Sequence, residues 1–222
     1  MGGEGMKTKR KGIEEFDLVL WDLDGTLVDS RMDLVGATNV AMRALGYPTV
    51  SFDRFSQMVG QGVRHLVTSA LPAGTDPETV EEAIEIFLVW YRRHLADTTR
   101  FYPGLREGIA HSKALHAVVS NKREDLCRSL LARLGATELF VRIVGGDTCP
   151  ERKPHPAPLF AAMEGLGIPT DRILMVGDSP VDIEAGKLAG VTTWGVLWGF
   201  GDPASSRPDA LLSDPSEVFS RG

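Results

Sequence analysis

The sequence predicts an α/β protein, a parallel sheet covered by helices on both faces, interrupted early by a helical segment. Three observations carry this reading. From Tyr102-Pro103-Gly104 onward, short apolar runs alternate with amphipathic stretches of helix length, the rhythm of strand, turn and helix in a parallel sheet. Before it, residues 30–100 change character and read as helical throughout. Before that again, Phe16-Asp17-Leu18-Val19-Leu20-Trp21 is an apolar run of strand length that ends in the polar Asp22-Leu23-Asp24-Gly25-Thr26.

In chain order, the start through Lys11 is charged with no apolar region behind it, so it reads as a disordered leader and not as a secretory signal. After the first strand, residues 32–45 carry an apolar stripe, with Gly46 where a helix would stop. A second helical pattern starts near Ser51, breaks at Gly60-Gln61-Gly62 and resumes at Val63. The stretch from Pro72 to Pro77 is a loop, and Asp76-Pro77-Glu78 opens a long helix to about Leu95 with a cap, an early proline and an acidic first turn. Strands are then expected at 115–119, 141–144, 173–176 and 192–195, with a weaker one at 210–212. Helices are expected at 105–113, 124–134, 156–166 and 180–189.

Composition limits the partners. In 222 residues, 43% are hydrophobic and 24% charged, as in a soluble globular protein. No apolar stretch approaches the roughly 20 residues of a membrane span. The net charge of −6 opposes binding to a polyanion, so neither membrane nor nucleic acid is an expected partner. Cys127 and Cys149 lack the close spacing of a zinc or redox motif, and a reducing cytoplasm is the expected location.

The polar groups of interest each follow an apolar strand or open a helix. Asp22 and Asp24 end the first strand, and side chains two apart share a side wherever the backbone stays extended. Ser120-Asn121-Lys122 follows the next strand, Lys153-Pro154-His155-Pro156 precedes a helix, and Gly177-Asp178-Ser179-Pro180-Val181-Asp182 follows the strand at 173–176. In a parallel sheet these ends share one rim, where ligands bind. Four crowded carboxylates, Asp22, Asp24, Asp178 and Asp182, repel by about 4 kcal/mol per pair at 4 Å and an effective dielectric near 20. A hard cation relieves this, and magnesium suits a site whose substrate brings phosphate oxygens. Ser120 and Lys153 supply a hydroxyl and a positive charge for a phosphate.

Plain structural readings stand beside these. Asp-Gly can simply end a strand, Ser120-Asn121 can cap a helix, and a lone lysine can be a surface group. Ser179 can cap the last long helix, with Asp182 on its dipole.

The ordered set Asp22-Leu23-Asp24-Gly25-Thr26, Ser120-Asn121-Lys122, Lys153-Pro154-His155-Pro156-Ala157-Pro158 and Gly177-Asp178-Ser179 with Asp182 resembles the haloacid dehalogenase superfamily of hydrolases, closest to its phosphoglycolate phosphatase-like branch. The resemblance implies a Rossmann-like parallel-sheet core domain, residues 15–29 and 101–222, with an inserted α-helical cap domain, residues 30–100, after a disordered leader at 1–14. It implies that Asp22 is the nucleophile forming an aspartyl phosphate, and that Asp24 protonates the leaving group and then activates water. Asp22, the backbone carbonyl of Asp24, and Asp178 would hold magnesium, with Asp182 supporting them directly or through water. Thr26, Ser120, Asn121 and Lys153 would contact the phosphoryl group, Lys153 also serving catalysis. Gly62 and Arg64, in a glycine-containing cap loop, are the candidate substrate contacts, Arg64 for a carboxylate; an exposed ion pair is the other reading of Arg64.

Within the superfamily, dehalogenases lack the second aspartate, and phosphonatases use a cap lysine, whereas no lysine lies between Ser30 and Phe101. Sugar-phosphate mutases of the β-phosphoglucomutase type usually carry a small apolar residue where Thr26 stands. The expected function is a magnesium-dependent phosphatase for a small phosphorylated metabolite, led by 2-phosphoglycolate, in a monomer or homodimer. A mutase or a non-catalytic phosphometabolite-binding module is the alternative.

Overall fold

A computed structural model describes residues 11–220 apart from Gln57. Strand β1 (Leu18–Trp21) is buried along its whole length, as a central parallel strand must be, and its side chains alternate between the two faces. Val19 and Trp21 enter one apolar cluster and Leu18 and Leu20 the other. The two-residue strand β2 (Val28–Asp29) follows, then helices α1 (Arg31–Ala44), α2 (Phe52–Ser56), α3 (Val63–Ala70) and α4 (Pro77–His94), and the two-residue strand β3 (Arg100–Phe101). The alternating part contains α5 (Leu105–His111), β4 (Leu115–Val119), α6 (Glu124–Arg133), β5 (Arg142–Val144), α7 (Ala157–Met163), β6 (Ile173–Gly177), α8 (Pro180–Ala189), β7 (Thr192–Val196) and β8 (Ala210–Leu212).

The main sheet has the order β5-β4-β1-β6-β7-β8, and every pairing in it is parallel. The chain builds outward from β1 through β4 to β5, then crosses to β6 on the other side. The crevice at the carboxyl end of β1 is therefore the switch point of the sheet, the place where α/β folds bind ligands. Helices α5 and α6 cover the face that holds Trp21, and α7 and α8 the face that holds Leu20.

The inserted helices start and end at a joint. β2 and β3 pair antiparallel, Val28 with Phe101 and Asp29 with Arg100, so the chain leaves and re-enters the sheet unit at one place. Buried Asp33, in the first turn of α1, fastens the return strand: it accepts from the backbone N–H and the hydroxyl of both Thr98 and Thr99. α1 packs along α4, whose start matches its sequence signals; Asp76 accepts from the Thr79 N–H at 2.9 Å, with Pro77 in the first turn.

The main-sheet strands and the long helices fall where the sequence places them. The β2–β3 ribbon was not predicted, because strands of two residues show no periodicity. Residues 1–10 of the expected leader lie outside the described residues. Its last part is folded onto the core: Ile13 opens a 3₁₀ turn and is buried against the first apolar cluster. Among the described residues, no helix is long and apolar enough to cross a membrane.

His116 on β4 is buried, and its Nδ1 accepts from the indole N–H of Trp21 at 3.0 Å, while Nε2 has no partner among the described residues. Burial pushes its pKa down from 6.5 to about 4. The unfolded chain thus takes up a proton near pH 6.5 that the folded chain refuses, and stability falls as pH drops from 6.5 to 4. His116→Gln, which keeps an acceptor for Trp21, is expected to flatten that part of the stability–pH curve, by up to about 3 kcal/mol at pH 4. Urea midpoints from pH 7 to 4 measure it.

Candidate active site

Three strand ends meet at the switch point. Asp22 continues the ladder beyond β1, its N–H donating to the Val176 carbonyl at 2.9 Å, and β6 delivers Asp178 beside it. Ser120, just past β4, donates its N–H to the Val144 carbonyl at 3.0 Å. Carboxylate oxygens of Asp22, Asp178 and Asp182 all lie within 4.8 Å of one another, and all three residues are buried. Lys153 reaches in from the loop before α7. Its ammonium donates to Asp22 Oδ1 at 2.8 Å, to Asp182 Oδ1 at 2.6 Å and to the Val119 carbonyl.

Each of these side chains is held from behind. Asp178 Oδ2 accepts the backbone N–H groups of Phe200 and Gly201 at 2.7 and 3.2 Å, and its Oδ1 accepts the Thr26 hydroxyl at 3.4 Å. Gly25 makes this packing possible. It has φ +88°, and a Cβ there would sit 2.3 Å from Asp178 Oδ2. Asp182 has a double function, because its Oδ2 accepts the N–H and hydroxyl of Ser179 at the start of α8 while its Oδ1 faces Lys153. The helix-start contact and the contact with Lys153 use different oxygens, so the two readings of Asp182 do not exclude each other.

The charge balance favours a cation. Three carboxylates meet one ammonium, and burial followed by the neighbouring Asp22 and Asp182 pushes the Asp178 carboxyl up to about 8. Burial likewise lifts Asp22 to about 6, against the pull of Lys153. Burial opposes the charge on Lys153, but Asp182 and Asp22 more than offset it and hold its pKa above the usual lysine range. An all-oxygen donor set without histidine or cysteine, carrying surplus negative charge in a buried place, fits a hard divalent ion such as magnesium.

Asp24 belongs to a second group. Strand β1 ends at Trp21 and only the Asp22 N–H extends its ladder, so the rule for residues two apart does not carry to Asp24. Its carboxylate accepts Lys122 at 2.8 and 3.0 Å and the Ser30 hydroxyl at 2.6 Å. Asp22 and Asp24 nevertheless line the same small cavity, about 60 Å³, between the strand ends and the inserted helices. Ser120, Lys122 and Gly62 also line it, and its far wall is apolar, including Leu34, Val63, Leu66 and Phe87.

A model of the haloacid dehalogenase-like hydrolases matches residues 19–196. The chain belongs to that family. Among its relatives in this hydrolase family, a phosphoglycolate phosphatase from Chromobacterium violaceum is 37% identical over 93% of this chain and 96% of its own. One from Neisseria meningitidis is 39% identical over 93% and 94%. The solved structure of a phosphoglycolate phosphatase predicted in Haemophilus somnus superposes with a TM-score of 0.85 at 30% identity, covering 90% of this chain and 95% of that one.

Three expected site residues of this hydrolase stand differently from the sequence reading. The Asn121 side chain is engaged with backbone: its amide donates to the carbonyls of Gly60 and Lys153 and accepts from the Lys153 N–H. It braces the Lys153 loop and ties it to the loop of Gly60. The Thr26 hydroxyl serves Asp178. Arg64 turns outward to Glu81 at 2.6 Å, both side chains 59% exposed, so it is an exposed ion pair and does not line the cavity. Conversely, Lys122, Tyr91 and the Phe200-Gly201 amides stand at the site with no role expected from the sequence. Lys122 was legible as the neighbour of Ser120-Asn121; the others left no sequence signal.

The raised pKa of Asp178 has a consequence in metal-free protein. Between its unfolded value near 4 and about 8, the folded state holds a proton that the unfolded state has lost, so stability drains away as pH rises through that window. Asp178→Asn removes the titration. With chelator present it is expected to exceed the parent at pH 8 by at least about 1 kcal/mol, roughly 2–4 °C in Tm, and to lose that advantage at pH 4.

Proposed function

We propose that this chain is a magnesium-dependent phosphatase that hydrolyses a small phosphate monoester through an aspartyl phosphate on Asp22, with 2-phosphoglycolate the leading substrate. The observation that carries the proposal is the setting of Asp22: a buried carboxylate beside the Lys153 ammonium and two further carboxylates, opening onto a cavity that it shares with Asp24. Relatives 37–39% identical over some nine-tenths of both chains are named phosphoglycolate phosphatases, which supports the substrate.

Asp22 and Asp178, with the Asp24 carbonyl, would hold the ion, and Asp182 would support it through its contact with Lys153. When bound, magnesium offsets the charge that keeps a phosphate dianion from a carboxylate. The chain's own groups do the rest. Lys153, whose three protons go to two carboxylates and a carbonyl, places its charge beside the nucleophile, and Ser120 offers its hydroxyl at the cavity wall. An Asp22 oxygen bonds to phosphorus as the phosphorus–ester oxygen bond breaks, and a proton from Asp24 goes to the departing oxygen. Asp24 then takes a proton from water as the water oxygen bonds to phosphorus; the aspartyl–phosphorus bond breaks, and phosphate and Asp22 are returned. The apolar wall keeps other water away from the site.

Phosphate release across a panel of phosphorylated acids, sugars and nucleotides tests the proposal. Activity is expected with magnesium, lost to chelator and restored by magnesium. Asp22→Asn is expected to lower turnover by about 10³-fold or more. Undiminished turnover in that variant refutes the proposal.

A further inference from the structure

The ammonium of Lys122 has three protons, and all are spent. Two go to the Asp24 oxygens at 2.8 and 3.0 Å, and the third to the Tyr91 hydroxyl at 2.7 Å. The ammonium also lies 4.7 Å from the centre of the Tyr91 ring. Lys122 and Tyr91 are buried, and both line the cavity that holds Asp22 and Asp24. Lys122 therefore has no donor left for a substrate. Its reach is defined at one end by Tyr91 and at the other by the carboxylate.

We propose that Lys122 and Tyr91 are positioning residues that aim Asp24 at the ester oxygen of the substrate. The proposal rests on the reading of Asp24 as the group that protonates the leaving oxygen. Lys122 comes from the sheet unit, just after β4, and Tyr91 from α4 of the inserted helices. With Ser30 at the start of α1 as the third contact, the orientation of Asp24 is set by groups from both parts of the molecule. Stability alone does not account for the arrangement. A buried ion pair contributes little net stability compared with apolar packing, and this one lines a cavity whose far wall is apolar.

The test compares two leaving groups of similar size. Acetyl phosphate loses a carboxylate, a class with pKa near about 4 that departs without a proton; 2-phosphoglycolate loses an alkoxide that needs one. If another alkyl phosphate of the release panel is cleaved faster, it takes the place of 2-phosphoglycolate. The kcat/KM ratio of alkyl ester to acetyl phosphate reports only the steps through leaving-group departure, so breakdown of the aspartyl phosphate does not enter it. For Lys122→Met this ratio is expected to fall by about 10-fold or more, and for Tyr91→Phe by a smaller factor in the same direction. A merely structural role would lower both kcat/KM values alike and leave the ratio unchanged. Should Lys122→Met fail to fold, Tyr91→Phe, which keeps the ring and its packing, decides alone. Asp24→Asn separates the two possible failures. If it lowers the ratio while the Lys122 and Tyr91 variants do not, the positioning role is overturned and the acid reading stands; if it leaves the ratio unchanged, both fall.

Discussion

The arrangement of this molecule depends on buried negative charge at the carboxyl end of β1. Asp22, Asp178 and Asp182 bring oxygens within 4.8 Å of one another, and Lys153 alone among the described residues answers them with a positive side chain. At such distances each like-charge pair costs about 4 kcal/mol at an effective dielectric near 20, before the loss of hydration is counted. The surrounding structure makes that tolerable. Backbone amides of the Phe200-Gly201 turn point at Asp178, the start of α8 points at Asp182, and the close approach needs glycine at position 25. A site held this way keeps surplus negative charge that a hard cation would offset without rearrangement of the oxygens around it.

A second consequence is the separation of two neighbouring aspartates into different ion pairs. Asp22 takes Lys153, whose contacts all come from the sheet unit. Asp24 takes Lys122, whose contacts include a tyrosine of the inserted helices. Two carboxylates two residues apart thus sit in different fields: one faces surplus negative charge, the other is matched by its own ammonium. Unlike surroundings for like groups suit the proposed division, in which one carboxylate attacks phosphorus and the other handles protons.

Much of this was legible in the sequence because parallel sheets impose a simple geometry. A polar residue straight after an apolar strand must stand on the rim, so Asp22, Ser120 and Asp178 could be brought together from local pattern alone. The helix-start signal at Ser179 placed Asp182 within the same reach. What escaped was whatever depends on contacts between distant segments. Helical periodicity could not show that Glu81 would lie opposite Arg64, nor that the Asn121 amide would be consumed by the carbonyls of Gly60 and Lys153. The backbone donors to Asp178 carry no residue identity, and Tyr91 reads as one more apolar position in the stripe of α4.

The position of Tyr91 is itself fixed by groups that look like ordinary surface polarity. Arg92, next in sequence, pairs with Asp125 of α6 at 2.9 Å, and Arg133, at the end of α6, donates to the carbonyls of Arg92 and Arg93 at 2.9 Å. Exposed pairs of this kind add little stability singly, and α4 and α6 have buried apolar faces to hold them without such help. Their effect is on register. α6 starts two residues after Lys122, so the helix that follows the lysine also grips the turn of α4 that bears its hydroxyl partner. A slip of α4 by one residue would carry the Tyr91 side chain about 100° around the helix and away from Lys122. Bonds at both ends of α6 oppose that slip.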